Sequence, residues 1–126
     1  MDKNIVWIAS YPKSGNTWIR SILSSLFYTD EGNFNFNILK KINTFDRPFY
    51  FNEVIKDKKI STYDLTTLAK FRVQAQNLFN KKKILRFFKT HAANIKIDGF
   101  DYTNQDTTKC VIYIVRDPRD VVLSYS

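Results

Sequence analysis

The feature that most narrows the possible folds is a change of hydrophobic period inside the first thirty residues. Asn4-Ile5-Val6-Trp7-Ile8-Ala9-Ser10 is a short, unbroken apolar run rich in β-branched residues, the pattern of a strand buried on both faces. Tyr11-Pro12 interrupts it, and Lys13-Ser14-Gly15-Asn16 has turn chemistry. From Thr17 onward, Trp18, Ile22 and Leu26, together with Leu23 and Phe27, fall at helical spacing and predict an amphipathic helix to about Tyr28. Asp30-Glu31-Gly32-Asn33 ends it.

Two further apolar runs extend this pattern. Ile84-Leu85-Arg86-Phe87-Phe88-Lys89 reads as a second strand that stops at Thr90-His91, and Cys110-Val111-Ile112-Tyr113-Ile114-Val115 reads as a third, with Cys110 in the core. Asp64 is placed to cap a helix from Leu65 to about Asn80, with Leu65, Leu68, Phe71 or Arg72, Ala75 and Leu78 in step. The lysines at 81, 82 and 83 then sit at the negative end of its dipole. Arg116-Asp117-Pro118 opens a last helix, with Pro at a first-turn position. Phe34 to Tyr63 has no clean period and is expected to be a long excursion with a short helix near Ile38, and Asp98 to Lys109 a polar loop. Apolar strands separated by helices indicate an α/β domain: a parallel sheet with flanking helices, in three layers.

Composition limits the partners. The 126 residues suit one domain, and 20 Lys and Arg against 12 Asp and Glu give a net charge of +8, which favours an anionic partner. A single cysteine and a single histidine exclude an intramolecular disulfide and a Cys- or His-rich metal site, so no metal is expected. The apolar run Ile5 to Ala9 is shorter than a signal-peptide core, and no stretch approaches the ~20 residues of a membrane span. A cytoplasmic protein with no membrane partner is the expectation.

Three short constellations carry chemistry. The first is the loop Tyr11-Pro12-Lys13-Ser14-Gly15-Asn16-Thr17-Trp18. A strand feeding a turn and a helix gathers unpaired backbone N–H groups and the positive end of the helix dipole, and anions bind there. Gly15 lets the backbone close on a phosphate, Lys13 supplies a point charge, and Ser14, Asn16 and Thr17 add donors. The order departs from the Walker A spacing, and a turn with a solvated lysine would read the same way. The second is Arg116 with Ser124 eight residues on, at the carboxyl end of a strand, where ligands gather in open parallel sheets; together they can share a phosphate. Ion pairing of Arg116 with Asp117 or Asp120 is the alternative. The third is Lys89-Thr90-His91, at the same rim, where an imidazole is suited to taking a proton from a hydroxyl.

Taken together, Tyr-Pro-Lys-Ser-Gly-x-Thr-Trp, Lys-Thr-His and Val-Arg-Asp-Pro-Arg-Asp-x-x-x-Ser-Tyr, in this order, resemble the sulfotransferase family, from about Asn4 to Ser126. The resemblance implies a P-loop nucleoside triphosphate hydrolase-like fold and 3′-phosphoadenosine 5′-phosphosulfate (PAPS) as sulfuryl donor. Lys13, Ser14, Gly15, Asn16 and Thr17 then match the 5′-phosphosulfate loop, with Trp18 stacking on the adenine. The family commonly has Thr at the position of Asn16, whose amide can still donate. Arg116 and Ser124 match the 3′-phosphate contacts, His91 the catalytic base, and Lys89 a lysine that holds the sulfuryl group. The implied reaction is an in-line displacement at sulfur, with a small-molecule hydroxyl or amine as acceptor and Lys13 donating to the bridging oxygen.

The family's C-terminal Arg-Lys-Gly motif is missing, and the chain stops within its last helix. The expectation is therefore the N-terminal portion of a sulfotransferase domain over residues 1–126, truncated, with a narrow sheet of three strands. An inactive or nucleotide-binding-only remnant is one rival reading, and a P-loop-type nucleotide kinase another. A nucleic-acid module, resting on the lysines at 81–83 beside Phe87 and Phe88, is set aside because a lysine run more often marks a solvated helix end. The acceptor's identity and the oligomeric state are not readable.

Overall fold

The structure is a computed structural model and describes residues 2–56 and 64–126. Its sheet has four strands in the order β2-β3-β1-β4, parallel and flanked by helices. The strands are β1 (Ile5–Ser10), β2 (Asn43–Thr44), β3 (Arg86–Thr90) and β4 (Thr108–Ile114), and the helices are α1 (Asn16–Tyr28), α2 (Leu65–Lys81) and α3 (Pro118–Tyr125). The expected α/β class is observed, with four strands in place of the expected three. The extra strand is β2, only two residues long, too short for a period to show. It pairs parallel to β3, Asn43 with Phe88 and Thr44 with Lys89. The excursion also holds short 3₁₀ turns at Ile38–Lys41 and Pro48–Tyr50, the first where a short helix was expected; its stretch 57–63 lies outside the described residues.

The residues group into two compact units, one comprising the described parts of Met1–Val6, Phe45–Arg86 and Ala93–Cys110, the other Trp7–Thr44, Phe87–Ala92 and Val111–Ser126. In the first unit, α2 starts where Asp64 accepts a hydrogen bond from the Thr66 N–H at 3.2 Å. Hydroxyls of Thr66 and Thr67 also donate to this carboxylate, both at 2.7 Å, and these bonds hold its pKa down at about 2. The inward face of α2 includes Leu68 and Ala75 as the period requires, but also a polar stripe at Arg72, Gln76 and Asn80.

Each member of this stripe is satisfied. Arg72 pairs with Asp46 through two bonds, 3.0 and 3.3 Å, and its guanidinium lies 4.8 Å from the Tyr102 ring centroid. Gln76 donates to the Tyr102 carbonyl at 2.8 Å and accepts from the hydroxyls of Thr103 and Thr107. Asn80 accepts from the Asn4 N–H at 3.0 Å and donates to the Asp106 carbonyl. The polar stretch expected to be a loop is pinned to α2 by buried and part-buried hydrogen bonds, and its last residues, Thr108 and Lys109, already belong to β4. Phe45 packs against Tyr50, Phe51 and Phe79 with ring centroids 5.7, 5.4 and 6.1 Å away, which gives residues 45–51 a small core of their own.

The second unit is built on the apolar residues of β1 and β3. Trp7 and Phe88 are buried with centroids 5.8 Å apart, and Phe27 of α1 packs on Phe87 at 4.8 Å. Arg20 reaches from α1 to the carbonyls of Leu39 and Ile42 at 3.1 and 3.0 Å, fixing the 3₁₀ turn ahead of β2.

Two sequence expectations are corrected here. The residues α1 buries are the small or polar Asn16 and Ser24, while Trp18, Ile22 and Leu26 face outward; of the apolar stripe, Phe27 still meets the sheet, at Phe87. Cys110 is exposed, because β4 lies at the edge of the sheet and lacks a neighbour on one side.

Candidate functional site

All three constellations lie in the second unit. The first loop leaves β1 at Ser10 and closes on α1 at Asn16. Its turn requires two left-handed residues, Lys13 with φ 65° and Gly15 with φ 100°. Glycine adopts that conformation freely, whereas a lysine is uncommon there and needs outside support. Arg116 supplies it: its Nη1 donates to the Lys13 carbonyl at 3.0 Å. No side chain caps α1 and no acidic residue stands in its first turn, a setting that attracts anions.

Arg116 also binds the other expected partner. The same Nη1 donates to Ser124 Oγ at 3.1 Å, one bond from each of its hydrogens. The Nε and Nη2 donors of the guanidinium remain for a ligand, and because Ser124 Oγ is an acceptor in this bond, its own hydrogen can be offered outward. The alternative ion pairing of Arg116 with Asp117 is not what forms. Asp117 caps α3 through the Arg119 N–H at 2.9 Å and takes the Arg119 side chain at 3.1 and 2.7 Å, and that guanidinium keeps the carboxyl below its ordinary pKa. The Lys13 ammonium lies 5.9 Å from the Tyr125 ring centroid. Residues more than 100 positions apart thus meet at one rim. Beside them opens a cleft of about 390 Å³ whose lining includes Tyr11, Ser14, Val115, Arg116, Val121 and Val122.

His91 follows β3 and is attached to the other end of the loop. Its Nδ1 lies 2.8 Å from the Ser10 carbonyl oxygen and 3.3 Å from Ser10 Oγ. A carbonyl oxygen has no hydrogen to give, so in the neutral ring the proton sits on Nδ1 and the lone pair on Nε2. Ser10 is buried, and His91 is otherwise exposed. Lys89 sits in β3, half-buried, its register partner being Thr44.

The remaining candidates are placed less uniformly. Ser14 is buried and Thr17 exposed. Trp18 is 77% exposed and, with Ile22, Leu26 and Phe34, borders a shallow apolar groove. Asn16 is buried, and both of its amide hydrogens point inward, to the Ile8 carbonyl and to Ser10 Oγ, each at 3.2 Å. Its side chain therefore braces the loop, and only its backbone faces the loop mouth. Sequence reasoning passed over Ser10 altogether; the signal available was its position as the last residue of a strand directly before the loop.

Among the described residues no helix is long and apolar enough to cross a membrane, and no three His, Cys, Asp or Glu residues are grouped to hold a metal ion.

Comparison with known proteins points one way. A family model described as "Sulfotransferase domain" matches residues 3–126. The chain is similar to a luciferin sulfotransferase of Photinus pyralis, at 28% identity over 138 aligned positions that cover 98% of this chain and 32% of that protein. It thus spans about a third of the length of the curated relative it matches. No solved structure matches.

Proposed function

Since the chain belongs to the sulfotransferase family, we propose that its rim binds PAPS and serves sulfuryl transfer from that donor to a hydroxyl or amine of a small molecule. The observation that supports this reading is the pair of hydrogen bonds donated by Arg116, to the Lys13 carbonyl and to Ser124 Oγ, which brings two groups suited to anions side by side.

The fit can be followed residue by residue. The donor substrate has two anionic ends, the 5′-phosphosulfate and the 3′-phosphate. The uncapped start of α1, with the backbone of residues 14–17 and the Lys13 ammonium, suits the first. The remaining Arg116 donors and the Ser124 hydroxyl suit the second. The apolar walls of the adjoining cleft, and the exposed Trp18 ring, offer faces for the base.

In the transfer, His91 Nε2 takes the acceptor's proton as its oxygen or nitrogen bonds to sulfur, and the bond from sulfur to the 5′-phosphate oxygen breaks. Lys13 neutralises the charge that grows on that oxygen, and Lys89 holds the sulfuryl oxygens. The products are the sulfated acceptor and adenosine 3′,5′-bisphosphate. The tasks assigned to the protein are positioning and electrostatic stabilisation.

The direct test is the thermal unfolding of the chain with adenosine 3′,5′-bisphosphate, beside ATP with Mg²⁺. A ligand selective for the native state raises Tm by mass action. A rise with the bisphosphate alone is expected; a rise with ATP and Mg²⁺ alone would instead favour nucleotide kinase chemistry.

A further inference from the structure

We propose that Asn16 is a positioning residue for His91, acting through Ser10, and that its side chain is not a ligand of the donor. This inference rests on the reading of His91 as the base.

The geometry is a short relay across the base of the loop. Asn16 begins α1, and Ser10 ends β1. The Asn16 amide gives one hydrogen to the Ile8 carbonyl and the other to Ser10 Oγ, both at 3.2 Å. It thereby grips β1 at two residues of the same face. Ser10 in turn presents its carbonyl at 2.8 Å and its hydroxyl oxygen at 3.3 Å to His91 Nδ1. The carbonyl can only accept, so it selects the ring form with hydrogen on Nδ1 and a bare Nε2, and the hydroxyl oxygen, already accepting from Asn16, is compatible with that form.

Burial makes the relay rigid. Asn16 and Ser10 are 7% and 5% exposed, so water does not compete for these bonds. The Asn16 Oδ1 is buried without a hydrogen-bond partner. Turning the amide over would set that oxygen against the Ile8 carbonyl, acceptor against acceptor. The orientation is thus fixed by its two donor bonds, and the unpartnered oxygen is its cost. Neither amide hydrogen is left to meet an anion at the loop mouth.

The presence of a single histidine allows a clean test, because the imidazole ¹⁵N spectrum reports one ring. In the wild-type chain at alkaline pH, the Nδ1–H tautomer is expected. In Asn16→Ala it shifts toward the mixture of an unrestrained imidazole, kcat falls by about 10- to 100-fold, the range seen when partners that orient metal-bound histidines are removed, and affinity for adenosine 3′,5′-bisphosphate is retained. Should Asn16→Ala fail to fold, Ser10→Ala, which keeps the carbonyl and removes only the hydroxyl, gives the same shift in smaller measure. A wild-type ring with its proton on Nε2, or an Asn16→Ala chain that loses the bisphosphate while keeping the tautomer, overturns the proposal. A failure of the parent reading looks different: His91→Ala would then retain turnover, whatever the tautomer.

Discussion

Replacing Arg116 with alanine is the sharpest perturbation of the proposed site, because this side chain has two separable tasks. Through Nη1 it supports the left-handed Lys13 and orients Ser124; through Nε and Nη2 it is free to receive a phosphate. Losing the first task loosens the loop and weakens any nucleotide held there by a 5′-phosphate. Losing the second removes only contacts to a 3′-phosphate. The quantity to measure is therefore a difference: the affinity lost for adenosine 3′,5′-bisphosphate less that lost for adenosine 5′-monophosphate. A hydrogen bond to a charged group contributes about 1.5–3 kcal/mol. Arg116 is exposed, so screening places the effect near the lower end, roughly tenfold at 1.4 kcal/mol per decade. Calorimetric titration of both nucleotides into wild type and Arg116→Ala gives this number. Arg116→Lys, which keeps the charge but loses the planar fork, is expected to fall between them. Equal losses for the two nucleotides would refute a 3′-phosphate role and leave Arg116 as a loop support only.

Three other outcomes follow from the same structure. His91→Ala abolishes sulfuryl transfer while leaving binding of adenosine 3′,5′-bisphosphate largely intact, checked by turnover and titration on one preparation; full turnover in the variant removes His91 as the base. Asp46→Ala strands the Arg72 guanidinium, whose side chain is 3% exposed, and lowers stability by about 3 kcal/mol in denaturant unfolding, whereas a loss no larger than that of an exposed pair shows that the Tyr102 ring alone can hold the cation. Asp64, whose folded pKa of about 2 lies below its ordinary 3.8, contributes stability that is full above the ordinary value and is lost as pH falls toward 2. The Tm advantage of wild type over Asp64→Ala therefore shrinks across that acid window, and an advantage that persists unchanged shows the cap to be independent of charge.

What was legible in the sequence follows from which signals are local. The strand at Ile5 to Ser10, the helix cap at Asp64 and the Pro118 helix start depend on neighbours in the chain, and each is found within a residue or two of its expected place. The inward faces of the helices depend on partners far away. On α2, Arg72, Gln76 and Asn80 are four residues apart, and polar side chains at that spacing do not announce an inner face until Asp46, Thr103, Thr107 and Asp106 are seen to meet them. On α1, the apolar stripe was legible but not its direction, since small Ser24 and bracing Asn16 take the inner face. β2 has two residues and no period to read.

The candidate site was legible for a different reason. Each of its groups stands at the carboxyl end of a strand: Lys13 after β1, His91 after β3 and Arg116 after β4. In a parallel sheet those ends share one edge, so the topology alone brings them to a common rim. Which atoms then meet is a matter of tertiary detail, and there residue type misleads. Asn16 has the chemistry of a ligand donor, yet both of its donors are turned to β1; Ser10 has no motif around it, yet its carbonyl fixes which nitrogen of His91 is bare. The residues that would touch the donor can be read as a string. Those that would aim the base appear only when the strand end and the helix start are folded against each other, and the tautomer of a single imidazole is the place to see whether they do.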